Sequence, residues 1–202
     1  GYSNQSTNSV AIGREAGKNS QSSDAVSIGN YLNSGNSGGG QLNQGQHSIA
    51  IGTNSGSTNQ ATNSVSIGRD SGKNNQGSSA VSIGYGAGLT SQGANSLAFG
   101  SNSGHTSQGA YSLAIGDQAG HTSQGLHSIA IGDQAANSSQ STYSIAIGDQ
   151  AGNDNQKQKN IAIGNQAGFS TQGKATDGDG GFSIAIGNAS GQTDQNEYSI
   201  AI

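Results

Sequence analysis

A pentad of the form Ser-Ile-Ala-Ile-Gly, as at Ser128–Gly132, returns at a fixed interval along the chain, and no other feature restricts its folding as tightly. Copies start at Ser9, Ala25, Ser48, Ser64, Ala80, Ser96, Ser112, Ser128, Ser144, Asn160, Ser183 and Ser199. Successive starts are 16 residues apart, except for two intervals of 23, from Ala25 to Ser48 and from Asn160 to Ser183. So short and regular an interval marks a repeat architecture, in which each unit buries its surface only against its neighbours. The whole chain, 1–202, reads as one repeat array and as a slice of something longer.

Counting each repeat from its pentad serine as position 0 gives two aliphatic columns. Position 1 runs Val10, Val26, Ile49, Val65, Val81, Leu97, Leu113, Ile129, Ile145, Ile161, Ile184 and Ile200. Position 3 is Ile in every copy, including Ile131, Ile147 and Ile163, apart from Phe99. The two columns hold 24 of the 30 Leu, Ile, Val and Phe residues, and only Ala or Ser stands between them. Alternation with period 2 and β-branched side chains predict a strand, and a helical period is absent. Position 4 is Gly, as at Gly116, Gly132, Gly148 and Gly164, and a small pair such as Ala119-Gly120 follows three residues later. Glycines at fixed offsets predict turns. Each period then makes one coil of strand, turn, short strand and turn, giving an all-β parallel β-solenoid of about twelve coils, about 58 Å long at ~4.8 Å per coil.

Position 12 is the most regular polar column: Gln60, Gln76, Gln92, Gln108, Gln124, Gln140, Gln156 and Gln172 occupy it in consecutive copies. Stacked coils bring such amides within hydrogen-bonding reach of one another, as Gln ladders do in cross-β structures. The seven-residue excesses fall near 30–43 and 173–182, in Gly-, Asn- and Ser-rich sequence, and read as loops extruded from the stack.

Composition excludes several classes. Seven basic against eleven acidic residues leave no nucleic-acid footprint. The absence of Cys removes disulfides and thiolate metal sites. No apolar run is long enough for this segment to insert into a membrane. Ser is abundant, but no Ser, His and Asp set stands out from the repeat background, so an enzyme and a cofactor are not expected.

Asp117, Asp133 and Asp149 share position 5 and are the weak metal candidates; Ca2+ wants six to eight oxygens, so solvated turn residues are the expectation. Asp177 and Asp179 resemble a calcium loop only faintly, lacking its terminal Glu. His105 and His121 share position 9, and Tyr111, Tyr143, Phe182 and Tyr198 share position 15 with His47 and His127, a candidate aromatic ridge.

Asn8-Ser9-Val10-Ala11-Ile12-Gly13 and Asn63-Ser64-Val65-Ser66-Ile67-Gly68 resemble the head repeats of trimeric autotransporter adhesins, the haemagglutinin-type repeats of YadA-like proteins. Similar arrays occur in viral and phage fibres. The resemblance covers essentially the whole chain. It implies a left-handed parallel β-roll, a homotrimer, and a place on a cell or virion surface, with a host or matrix surface as partner. The coil here is longer than the family's commonest, and neither stalk heptads nor a membrane anchor is present.

Strand parity raises the question of what faces inward. With the small residues at positions 0, 2 and 4 inside, the Val and Ile columns form a long outer apolar stripe along which chains associate; with Val and Ile inside, a single chain is self-sufficient. Small residues suit a thin coil, and the first arrangement is preferred. The expected function is an extracellular structural or adhesive fibre segment, non-catalytic and self-associating as a homotrimer or an end-to-end filament. A ligand-binding or ice-binding solenoid is the alternative. It calls for an unbroken Thr face, whereas Thr58, Thr90, Thr106 and Thr122 at position 10 are interrupted by Asn74 and Ser138.

Overall fold

A computed structural model of the chain describes residues 3–29, 42–174 and 181–202. They form an all-β parallel solenoid with no helix. Each period contributes one strand at positions 1–3, such as Ile129–Ile131, and most contribute a second at positions 10–12, such as Thr122–Gln124. Twelve pentad strands, from Val10–Ile12 to Ile200–Ala201, stack in sequence order into one sheet of about eleven turns. The second strands, from Ser3–Gln5 to Thr122–Gln124, make an eight-stranded sheet, and Ser170–Lys174 pairs with Thr193–Asn196 beyond it.

Register is strict. Ile129 pairs with Ile145 and Ile131 with Ile147, each residue lying over its equivalent one coil away. The 23-residue periods keep that register: Val26 pairs with Ile49, and Ile161 with Ile184. Of the two expected excursions, Leu42 and Asn43 belong to the strand Leu42–Gln44, and Gly173 and Lys174 to the strand Ser170–Lys174. Gly181 and Phe182 lead back into the stack, where Phe182 lies on Tyr198, while 30–41 and 175–180, with Asp177 and Asp179, lie outside the described residues.

The small residues face inward. Ala98, Ala114, Ala130, Ala146 and Ala162 at position 2 are fully buried, as are Ser64, Ser128 and Ser144 at position 0. Among the described residues the large side chains in the interior are the position-12 glutamines and Asn160. The aliphatic columns face outward and are half-buried by their neighbours in the stack, with Ile163 37% and Phe99 50% exposed. A core of methyl and hydroxymethyl groups lets the two sheets approach closely, which a core of Ile would forbid.

Glycine at position 4 is set by the same closeness. Gly132 adopts φ +129, and a Cβ there would fall on the carbonyl oxygen of Gly148 in the next coil. Glycine removes both obstacles, the left-handed backbone and the clash.

Candidate functional site

The solenoid presents two kinds of surface, an interior that sets its rigidity and outer columns open to partners. Inside, each position-12 amide has one constant partner. The Nε2 groups of Gln60, Gln76, Gln92, Gln108, Gln124, Gln140, Gln156 and Gln172 donate to the carbonyl of the position-1 residue eleven residues earlier, at 2.7–2.9 Å. Amide-to-amide bonds run in two series. Gln60 donates to Gln76 and Gln76 to Gln92 at 3.2 and 3.1 Å. Gln124 donates to Gln140, Gln140 to Gln156 and Gln156 to Gln172 at 3.3, 3.0 and 3.0 Å. Among the described residues the side-chain oxygens of Gln108 and Gln124 have no donor, which marks the gap between the series. Each glutamine thus ties its side of the coil to the pentad strand, and the amide ladder is the less regular of these contacts.

The turns hold an unexpected feature. Three columns of residues other than glycine sit at positive φ, at positions 6, 11 and 15, as in Gln118 (φ 51), Ser123 (φ 56) and His127 (φ 53). The sequence carries a partial signal for this in Asn59, Asn75, Asn63 and Asn95, since Asn tolerates the left-handed region. At position 15 the same backbone state is held by Tyr111, His127, Tyr143, Phe182 and Tyr198. Their rings stack: Tyr111 on His127 at 5.0 Å, His127 on Tyr143 at 5.2 Å, and Phe182 on Tyr198 at 5.4 Å. The Lys159 Nζ lies 4.6 Å from the Phe182 ring centroid. Stacking offsets part of the backbone strain.

The opposite edge, at positions 5, 6 and 9, carries Arg14, Glu15, Lys18, Arg69, Asp70 and Lys73 as well as the aspartate row. Asp117, Asp133 and Asp149 are exposed in one row, and Asp149 accepts a hydrogen bond from the Asn165 side chain at 3.0 Å. Among the described residues no three His, Cys, Asp or Glu side chains gather as a metal cluster. Behind this row Gln134, Gln150 and Gln166 form a second amide ladder, missed in the sequence because their column holds Glu15, Asn54 and Asp70 in earlier coils. At the Glu15 and Asp70 coils the edge holds two bases for each acid, Arg14 with Lys18 and Arg69 with Lys73. Asp70 accepts from Arg69 Nε and from Lys73 Nζ, both at 3.1 Å. Burial alone would raise the Asp70 carboxyl, but hydrogen bonds from Asn54, Lys73 and Arg69, with the Lys73 charge, hold it below the usual carboxylate value. His105 and His121 stack at 4.8 Å on the same edge. Burial, and then the charge of His121, push the His105 imidazole down.

On the face between the edges, Thr90 pairs with Thr106 and Thr106 with Thr122, while Asn74 stands beside Thr90. The threonine row therefore covers three adjacent coils.

Two further comparisons, with curated proteins and with solved structures, returned no match. The family model of the YadA head domain repeat matches twice, at residues 44–71 and 123–151, and both segments follow the coil described above; over these two segments the chain is similar to YadA head domain repeats.

Proposed function

We propose that this array is a structural and adhesive segment of an extracellular fibre, non-catalytic, on a cell or virion surface, and that its working contact is self-association into a homotrimer. The observation that carries the reading is the outward direction of the aliphatic columns. Ile129, Ile145 and Ile161, with Ile131, Ile147 and Ile163, lie in unbroken vertical rows on the outside of the sheet. An apolar stripe running the length of an array exceeds the few hundred Å2 that a soluble monomer usually exposes, and association covers it. The repeats are of adhesin type, which supports a surface role with a host or matrix surface as the partner. The interior is filled by Ala, Ser and Gln, which leaves little room for a substrate.

Sedimentation of the purified array tests this. A trimer is expected, and a variant with Ile129→Ser, Ile131→Ser, Ile145→Ser and Ile147→Ser is expected to sediment as a monomer with its β circular dichroism retained. A wild-type chain that is strictly monomeric would overturn the reading, and long linear particles in electron micrographs would replace the trimer by an end-to-end filament.

A further inference from the structure

The charged edge changes sign along the axis, and the fold makes that change regular. Backbone N–H groups at position 6 donate to position-5 carbonyls of the preceding coil, from Asp70 on Thr53 to Gln166 on Asp149, at 2.7–3.0 Å. This row of rungs fixes Thr53, Arg69, Tyr85, Ser101, Asp117, Asp133 and Asp149 as seven consecutive steps of one column. Arg69 is 63% exposed and lies with its guanidinium carbon 5.0 Å from the Tyr85 ring centroid, which holds the planar group at the surface. Lys73 stands beside it, and Asp70 is shared between the two, leaving one net positive charge on that coil. Asp117, Asp133 and Asp149 have no ion-pair partner among the described residues. Like charges stacked directly over one another in a sheet are destabilising, so the acidic row carries a cost that a facing cation would remove.

We propose that this edge is a contact surface for a second copy of the chain running in the opposite direction, with Arg69 of each copy against Asp133 of the other. The register follows from the column. A twofold axis through Ser101 leaves two steps on either side to Arg69 and Asp133, about 19 Å apart at ~4.8 Å per coil. The same operation sets the Tyr85 hydroxyl against Asp117 and the Thr53 hydroxyl against Asp149, so each acid meets a donor. Ser101 on the axis is small and allows close approach. Such a contact is isologous and closes as a pair. A parallel, in-register pairing on this edge would set every aspartate against itself and is repulsive. The surface is distinct from the aliphatic columns, and the proposal stands whether or not those columns associate.

The test is sedimentation at low and high ionic strength, about 0.01 M and about 1 M salt, between which the screening length falls roughly tenfold. The particle mass at low salt is expected to be twice that at high salt for a monomeric high-salt species, and at least twice for a trimer, which presents three such edges. Arg69→Asp is expected to abolish the doubling, and Arg69→Asp combined with Asp133→Arg to restore it. Should Arg69→Asp fail to fold by circular dichroism, Asp133→Lys tests the same contact from the acidic side. The chain has no cysteine, so orientation is read by mixing a Thr53→Cys chain with an Asp149→Cys chain under oxidising conditions. Crosslinks between the two different chains are expected. Thr53→Cys crosslinked to itself, no doubling at low salt, or doubling that survives the charge reversals would each overturn the proposal. Loss of the trimer in the isoleucine variant with the salt-dependent doubling intact would separate this contact from the one in the proposed function.

Discussion

The side chain of Gln156 donates to the Ile145 carbonyl at 2.8 Å and, through the same nitrogen, to the Gln172 side-chain oxygen at 3.0 Å. One buried amide thereby joins the strand Ile145–Ile147 to the far side of its own coil and links that coil to the next. Replacing it with Leu keeps the volume but strands both acceptors in a dry interior. A cost of about 1–3 kcal/mol is expected. At 2–4 °C per kcal/mol for a chain of this size, the melting temperature falls by roughly 2–12 °C. Thermal unfolding of Gln156→Leu against an exposed control such as Asn155→Ser checks this.

Gly132 and its equivalents leave no such latitude. Gly132→Ala would combine a left-handed backbone, worth about 1–3 kcal/mol in strain, with a methyl group driven onto the Gly148 carbonyl. The outcome expected is a loss larger than that of Gln156→Leu, with separation of coils at this point. Hydrogen exchange should locate it in the amides of 129–148.

Ala136 tests the opposite direction. It occupies the position held by Gly120 and Gly152 in adjacent coils, at φ 49. At Gly120 an added Cβ would meet the Gln124 side-chain oxygen at 2.8 Å, and Ala136 carries a Cβ at the equivalent position of the coil that holds Gln140. The consequence is local: Ser139 lacks the positive φ of Ser123, and the short-strand sheet is reduced to isolated bridges from Gln124 to Gln140 and Gln140 to Gln156. Ala136→Gly is expected to restore a strand at 138–140 and raise stability by about 0.5–1 kcal/mol. A chemical-denaturation midpoint measures it, and an unchanged or lower midpoint would count against this account of the interruption.

The pH dependence has a defined sign. His105 titrates below the ordinary imidazole value of about 6.5 because it is partly buried and stacks on His121. The folded chain then binds fewer protons than the unfolded one. This contribution to stability is complete above about pH 6.5 and is lost as pH falls through the lowered folded value. Melting temperature should decline modestly from pH 7.5 to pH 5, and His105→Asn, which copies Asn137 in the same column, should flatten the decline.

Strand placement and register were legible because each follows from a periodicity that one sequence displays twelve times over; the inward direction of Ala and Ser rested on their small size, since the alternation fits either facing. Ile131 over Ile147 needs only the 16-residue step. The Gln156–Ile145 bond was not legible, since the choice between neighbouring amide and backbone carbonyl depends on the width of the coil, which the sequence does not state. Nor were the left-handed turns at position 15. Asn63 and Asn95 advertise that conformation, but Tyr111 and Tyr143 override it, and their compensation by ring stacking exists only between coils. Residues 30–41 and 175–180, expected as loops, lie outside the described part of the chain.

The backbone hydrogen bonds run along the solenoid axis, from each coil to the next. A pull on the two ends therefore loads one interface at a time, like a thread drawn out of a hem. Each coil that lets go replaces about 4.8 Å of height by 16 residues of slack, roughly 50 Å when taut. A stiff rod of this build yields under tension by lengthening up to about tenfold without breaking a covalent link.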